Sequence, residues 1–160
     1  MGHRHFLHVG GPEHHPASIQ RRRVFNETVE ELGLHSHGVT CGPWDGPYAR
    51  DIVAELPDDS PVTAIVAGND ELAAGVIAGA HNREWSVPSR LSVSGWDDNP
   101  VGAFMPPALT TVHVDHASLG RAAMERLIAS LRGTTESLSN QQPPLNTVVW
   151  RDSVAAAHQM

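Results

Sequence analysis

Short apolar runs alternate along the chain with segments whose apolar residues recur every three or four positions. Phe6–Val9 is an apolar run stopped by Gly10, Gly11 and Pro12, which predicts a buried strand and its turn. From Ser18 to Leu34, Val24, Phe25, Val29 and Leu32 share one helical face, and Gly33 marks its end. A brief extended piece at Val39–Cys41 precedes the turn-rich stretch Gly42–Pro47. Tyr48, Ile52, Val53 and Leu56 then return to helical spacing before Pro57. Ala64–Val66 reads as the next strand. Asn69 or Asp70 is placed to cap a helix whose inner face is Leu72, Ala73, Val76, Ile77 and Ala80. Val87–Pro88 turns the chain into a strand around Leu91–Gly95.

Beyond Thr111 the pattern changes. Val112 and Val114 continue an extended run, and Leu119, Ala123, Leu127 and Leu131 form a further amphipathic stripe. Ser137–Pro144 is polar and proline-bounded, which predicts a mobile loop. Thr147–Trp150 is a last strand, and Asp152–Met160 is expected to fray. Strands alternating with helices predict a three-layer, doubly wound α/β fold with a mainly parallel sheet of about five strands and helices on both faces.

Composition narrows the function classes. A chain of 160 residues, 40% hydrophobic, is one domain or slightly more, with enough length for a core. No apolar run approaches the roughly 18–20 residues of a membrane span, and Met1–Phe6 lacks an apolar signal region. The single Cys41 excludes an internal disulfide and fits a reducing cytoplasm. A formal net charge of −7 gives no electrostatic footprint for nucleic acid, and Arg21–Arg23 is too short a basic run to reverse that.

Three strand ends carry distinctive groups: Gly10–Pro12, Asn69–Asp70 and Asp97–Asp98. In a parallel sheet they share one rim, where open α/β sheets bind ligands. Carboxylate and amide groups converging there can take hydroxyls or ring nitrogens in fixed directions. The plainer alternative is that Asn69 and Asp70 only cap a helix and Asp97–Asp98 only shape a turn; spacing alone leaves both open.

The blocks Val9–Pro12, Arg21 with Phe25, Asn69–Asp70, Gly95–Asp98 and Pro107–Thr111 occur in an order that closely resembles the effector-binding domain of the lactose-repressor (LacI/GalR) family of transcription regulators. The resemblance runs from about His3 to Arg151. It implies one lobe of a type I periplasmic-binding-protein-like fold, with residues 1–111 and 146–152 forming the C-terminal lobe. Residues 112–145 would then be a crossover whose helix packs on a first lobe, and 153–160 a tail. The family's DNA-binding helix-turn-helix and most of its first lobe have no counterpart here, so DNA would be met only through such a domain. The partners implied are a small-molecule effector of sugar or nucleobase type and a second copy in a homodimer, in the cytoplasm, with no membrane. Carried over residue by residue, Arg21 would hold effector hydroxyls or a carboxylate, Asp97 and Asn69 would accept hydrogen bonds, and Trp44 would offer an apolar face to a ring. His14 and Ser18 fall in a region of variable contacts. One departure is Val24, where the family often has glycine.

Other chemistry finds less support. Histidines are numerous, eleven in all. His3 and His5 would share a strand face with His8 opposite, and His35–Ser36–His37 follows a helix end. No cysteine partners or HExxH helix accompany them, so no metal site and no cofactor are expected. No nucleophile elbow or dinucleotide fingerprint is present, and Pro12 removes an amide that a phosphate loop needs. The chain is therefore not expected to be an enzyme. The rivals are an exported sugar-binding protein and, behind it, a doubly wound enzyme using Asp97 or Asp98 as a base. Truncated from a first lobe, the helix over Ala117–Leu131 is expected to dock on its own lobe or on a neighbouring copy.

Overall fold

The computed structural model describes residues 1–133 and 145–157. Its elements are β1 (His5–Gly10), α1 (Pro16–Glu31), β2 (His35–Cys41), α2 (Gly46–Ala54), β3 (Ala64–Ala67), α3 (Asp70–Asn82), β4 (Ser92–Ser94), a 3₁₀ turn (Pro100–Phe104), β5 (Thr111–Val114), α4 (His116–Leu131) and β6 (Asn146–Val149). Strands β2-β1-β3-β4 form a parallel sheet in that order. A fifth position is reached only by a single parallel bridge from Ser94 to Thr110. After it the chain pairs β5 with β6 as an antiparallel ribbon.

Alternation along β1 assigns the two faces of the sheet. Leu7 and Val9 join Ala49, Val53, Leu72, Val76, Ile65 and Val93 in one buried core under α2 and α3. His8 points the other way and stacks on Phe25 of α1, ring centroids 5.2 Å apart. Helices thus cover both faces, as the alternating pattern predicts.

Local chemistry sets the helix starts. Asp45 accepts from Tyr48 N at 2.9 Å to begin α2, and Asn69 accepts from Leu72 N at 2.8 Å to begin α3. Strand β2 is longer than its sequence suggests. Polar His35–Gly38 carries no hydrophobic signal, and pairing with β1 supplies the strand instead.

Two expectations about the end of the chain need separate treatment. Ser137–Pro144 lies outside the described residues. Asp152–Ala157 does not fray: Ser153 is fully buried, donates to Val93 O at 2.6 Å and accepts from Thr110 N at 2.8 Å. Ala157 N reaches Met1 O at 2.8 Å, so both ends of the described chain are tied together. The tail fills the sheet position beside β4 that the short bridge leaves open.

Helix α4 buries only Ala122, while Leu127 is 54% and Leu131 79% exposed. The helix therefore does not dock its apolar stripe on its own lobe. No helix among the described residues is long and apolar enough to cross a membrane.

Candidate functional site

The carboxyl ends of β1 and β3 and the turn after β4 meet at one rim, where a pocket of about 350 Å³ is lined by His15, Ala17, Arg21, Trp44, Asn69 and Asp97. Four of the six residues expected from sequence are therefore brought together. His14 is exposed and outside the lining, and its neighbour His15 stands there instead. Ser18 is buried in α1, with its hydroxyl unpaired, and does not reach the pocket.

Arg21 organises the site. It donates through Nη1 to Gly68 O, and its Nη2 lies 3.6 Å from Asp97 Oδ1. Its guanidinium stacks 4.7 Å from the Trp96 ring and 6.0 Å from that of Trp44. Burial lowers the Arg21 pKa and the Asp97 charge opposes that shift. The group stays cationic, since arginine's pKa begins so high.

Trp44 lies on the glycine turn after β1. A Cβ on Gly11 would stand 2.3 Å from the indole, so only glycine lets the ring settle there. His15 meets the same ring edge-on at 5.6 Å. Asn69 combines both readings of its position: its Oδ1 caps α3 while the residue borders the pocket.

Asp97 and Asp98 have φ of 104° and 53°, a left-handed region that Asp tolerates better than most residues. The two carboxylates consequently meet different partners. Asp98 leaves the pocket, accepts from Arg151 Nη2 at 2.6 Å and bonds His113 Nδ1 at 3.1 Å. Asp98 is thus the structural member of the pair and Asp97 the open one.

Asp70 is the residue that sequence reasoning undervalued. It is 6% exposed, and its carboxylate accepts from Thr111 Oγ1 at 2.5 Å and Asn99 N at 2.6 Å. Its own N–H donates to Trp96 O at 2.9 Å. Asp70 therefore locks the turn that presents Trp96 and Asp97. Burial raises its pKa, the Thr111 and Asn99 bonds oppose that, and the charges of Asp97 and Asp98 add to it. Trp96 was also missed as a functional neighbour, although it sits inside the singled-out Gly95–Asp98 block. A larger groove of about 650 Å³ lies on the α1 side, lined by Phe6, Val24, Phe25 and Val66 among others. It is mainly apolar but also takes in His8, Gln20, Thr28 and Asn146, and Arg21 lines both it and the smaller pocket.

The Asp98 arrangement makes a pH prediction. The Arg151 hydrogen bond is the main cause holding the Asp98 carboxyl below its ordinary value. A lowered folded pKa means its stabilisation is complete above the unfolded value of about 3.9 and lost as pH falls through the folded one. Asp98→Asn should cost about 1–3 kcal/mol at pH 7. In denaturant titrations the gap between wild type and variant should shrink at pH 3. A gap that does not change with pH contradicts this role.

Comparison with known proteins follows the same outline. Residues 1–154 match the family described as "Periplasmic binding protein-like domain". The chain is 34% identical over 130 residues to the lactose operon repressor of Klebsiella pneumoniae, which covers 81% of this chain and 37% of that protein. Among solved structures, a sugar-binding transcriptional regulator of the LacI family from Escherichia coli, complexed with phosphate, superposes with a TM-score of 0.83 at 26% identity. It covers 96% of this chain and 55% of that one. The lac repressor dimer bound to operator and the anti-inducer ONPF shares the fold, with a TM-score of 0.85 at 22% identity over 97% of this chain and 54% of that chain. This chain thus spans well under half the length of the curated relative. These three relatives are regulators, and none supports the transport or enzyme reading.

Proposed function

The chain belongs to the periplasmic binding protein-like domain family, on the branch of the LacI-type regulators, and from that premise we propose that it senses a small polar effector through the Arg21–Asp97 rim. The observation that carries the reading is the meeting of Arg21, Asn69, Trp44 and Asp97 on one open pocket. A fixed donor fork, a carboxylate, an amide and an aromatic face suit a polyhydroxylated sugar or a nucleobase-type ring. The sugar-binding regulator among the structural relatives favours the sugar.

In this reading the pocket is one wall of a cleft and a first lobe supplies the other. The exposed stripe of α4, with Leu127 and Leu131, would face that lobe. Effector binding changes the lobe arrangement by population shift, so the ligand must prefer one arrangement over the other. DNA contact would belong to a separate domain of a longer regulator, acting as a homodimer in the cytoplasm, and no catalytic step is assigned.

A thermal-shift panel of sugars, nucleosides and free bases on the chain tests the proposal. At least one class should raise the melting temperature, and Asp97→Asn should abolish the shift. A panel without hits, or hits indifferent to Asp97→Asn, would overturn it.

A further inference from the structure

We infer that the outer end of the β1–β2 edge is a binding site for a divalent transition-metal cation of the zinc and copper class, held by His5 and His37. The parallel register sets His5 directly opposite His35. His37 lies two residues further along β2, on the same face as His35. Three imidazoles therefore meet at one edge. His5 Nδ1 and His37 Nε2 are 2.9 Å apart, and the His5 ring stacks on that of His35 with centroids 4.8 Å apart.

That spacing suits a shared cation. Two nitrogens on a tetrahedral cation, each about 2.0–2.1 Å from it, stand roughly 3.3 Å from each other, so the two rings need part by only a few tenths of an ångström. The 2.9 Å contact is a hydrogen bond between the two rings; with its proton moved to the far ring nitrogen, a modest rotation of half-buried His5 and exposed His37 turns both lone pairs toward a common point. Imidazole is a good ligand for Zn²⁺, Cu²⁺ and Ni²⁺. Among the described residues no group of three or more His, Cys, Asp or Glu is arranged to hold a metal. The site is thus a two-imidazole clamp completed by solvent. Arg4 opposes a second cation, so the affinity falls well short of a four-ligand structural zinc site.

The site is separate from the effector pocket and shares no residue with it. It also differs from the other histidines. His3 is engaged with Thr63 Oγ1 and Ala155 O, and His113 with Asp98.

Calorimetric titration of the chain with Zn²⁺ tests the inference. One site is expected, weakened at least about tenfold by His5→Ala and by His37→Ala. His81→Ala, on the exposed side of α3, should bind as wild type. His3→Ala should do the same, which excludes chelation by the Met1 amine with His3. Thermal unfolding without zinc checks that the variants fold, and His37→Gln repeats the test where alanine alters unfolding. Wild-type affinity in either His5 or His37 variant, or no binding by the wild type, overturns the site.

Discussion

Asp97→Asn is expected to weaken binding of the effector by about 2–4 kcal/mol, a roughly 30- to 1000-fold rise in Kd. Asp97 makes a side-chain ion pair with Arg21, at 3.6 Å, and half of its side chain stays open to the pocket at 47% exposure. Its carboxylate is thus free to take charge-assisted bonds from ligand hydroxyls or ring N–H groups. Asparagine is the right replacement, because φ at this position is 104° and alanine would add backbone strain. The backbone bond from Asp97 N to Val112 O, 3.0 Å, survives the change. Stability should therefore move little while affinity falls. Calorimetry with the ligand found by thermal shift reads the effect. Equal affinity in the variant would remove Asp97 from the site.

Gly75→Ala should have the largest effect on stability, a net loss of about 2–4 kcal/mol and a fall in Tm of roughly 5–15 °C. Helices α2 and α3 touch backbone to backbone here. A Cβ on Gly75 would stand 2.2 Å from Gly46 O and 2.7 Å from Gly46 Cα. Alanine gains about 1 kcal/mol of helix propensity, which is too little to offset moving a helix. The displacement would open the core at Ala49, Val53, Leu72 and Val76, all fully buried. It would also reach the site, since α2 begins one residue after Asp45 and two after Trp44. Gly120→Ala is the internal control. Nothing lies within 4 Å of a Cβ there, so the exposed helix should gain up to about 1 kcal/mol. Unfolding in denaturant compares the three proteins. A Gly75→Ala chain as stable as wild type would show that the helix pair is not held at its closest approach.

Hydrophobic periodicity alone located β1, α1, α2, β3, α3 and β4, and the polar residues at strand ends pointed to one rim. Those are local signals: period two or four, a capping Asn or Asp, a glycine stop. They left the cap of α3 to Asn69 or Asp70, and the structure gives it to Asn69, whose Oδ1 accepts from Leu72 N. Asp97 stood out as a strand-end acid, whereas Arg21 and Trp44 became candidates only through the resemblance to the lactose-repressor family.

What the tertiary structure decided depends on partners distant in sequence. The strand at His35–Gly38 exists because β1 pairs with it, and the same register gathers His5, His35 and His37 from segments thirty residues apart. Asp97 and Asp98 are adjacent and chemically identical, yet Arg21 takes one and Arg151 the other. Asp70 reads as a helix-capping acid, and only its enclosure by Gly95, Asn99 and Thr111 makes it the clamp of the site. The tail at Ser153 reads as polar and unstructured, but its hydroxyl and backbone complete the edge beside β4. Periodicity reports which face of an element is apolar; only the packed chain determines which distant polar group a given side chain meets. Helix formation and strand burial were therefore written in the sequence, whereas the division of labour among its acids and histidines was set by the fold.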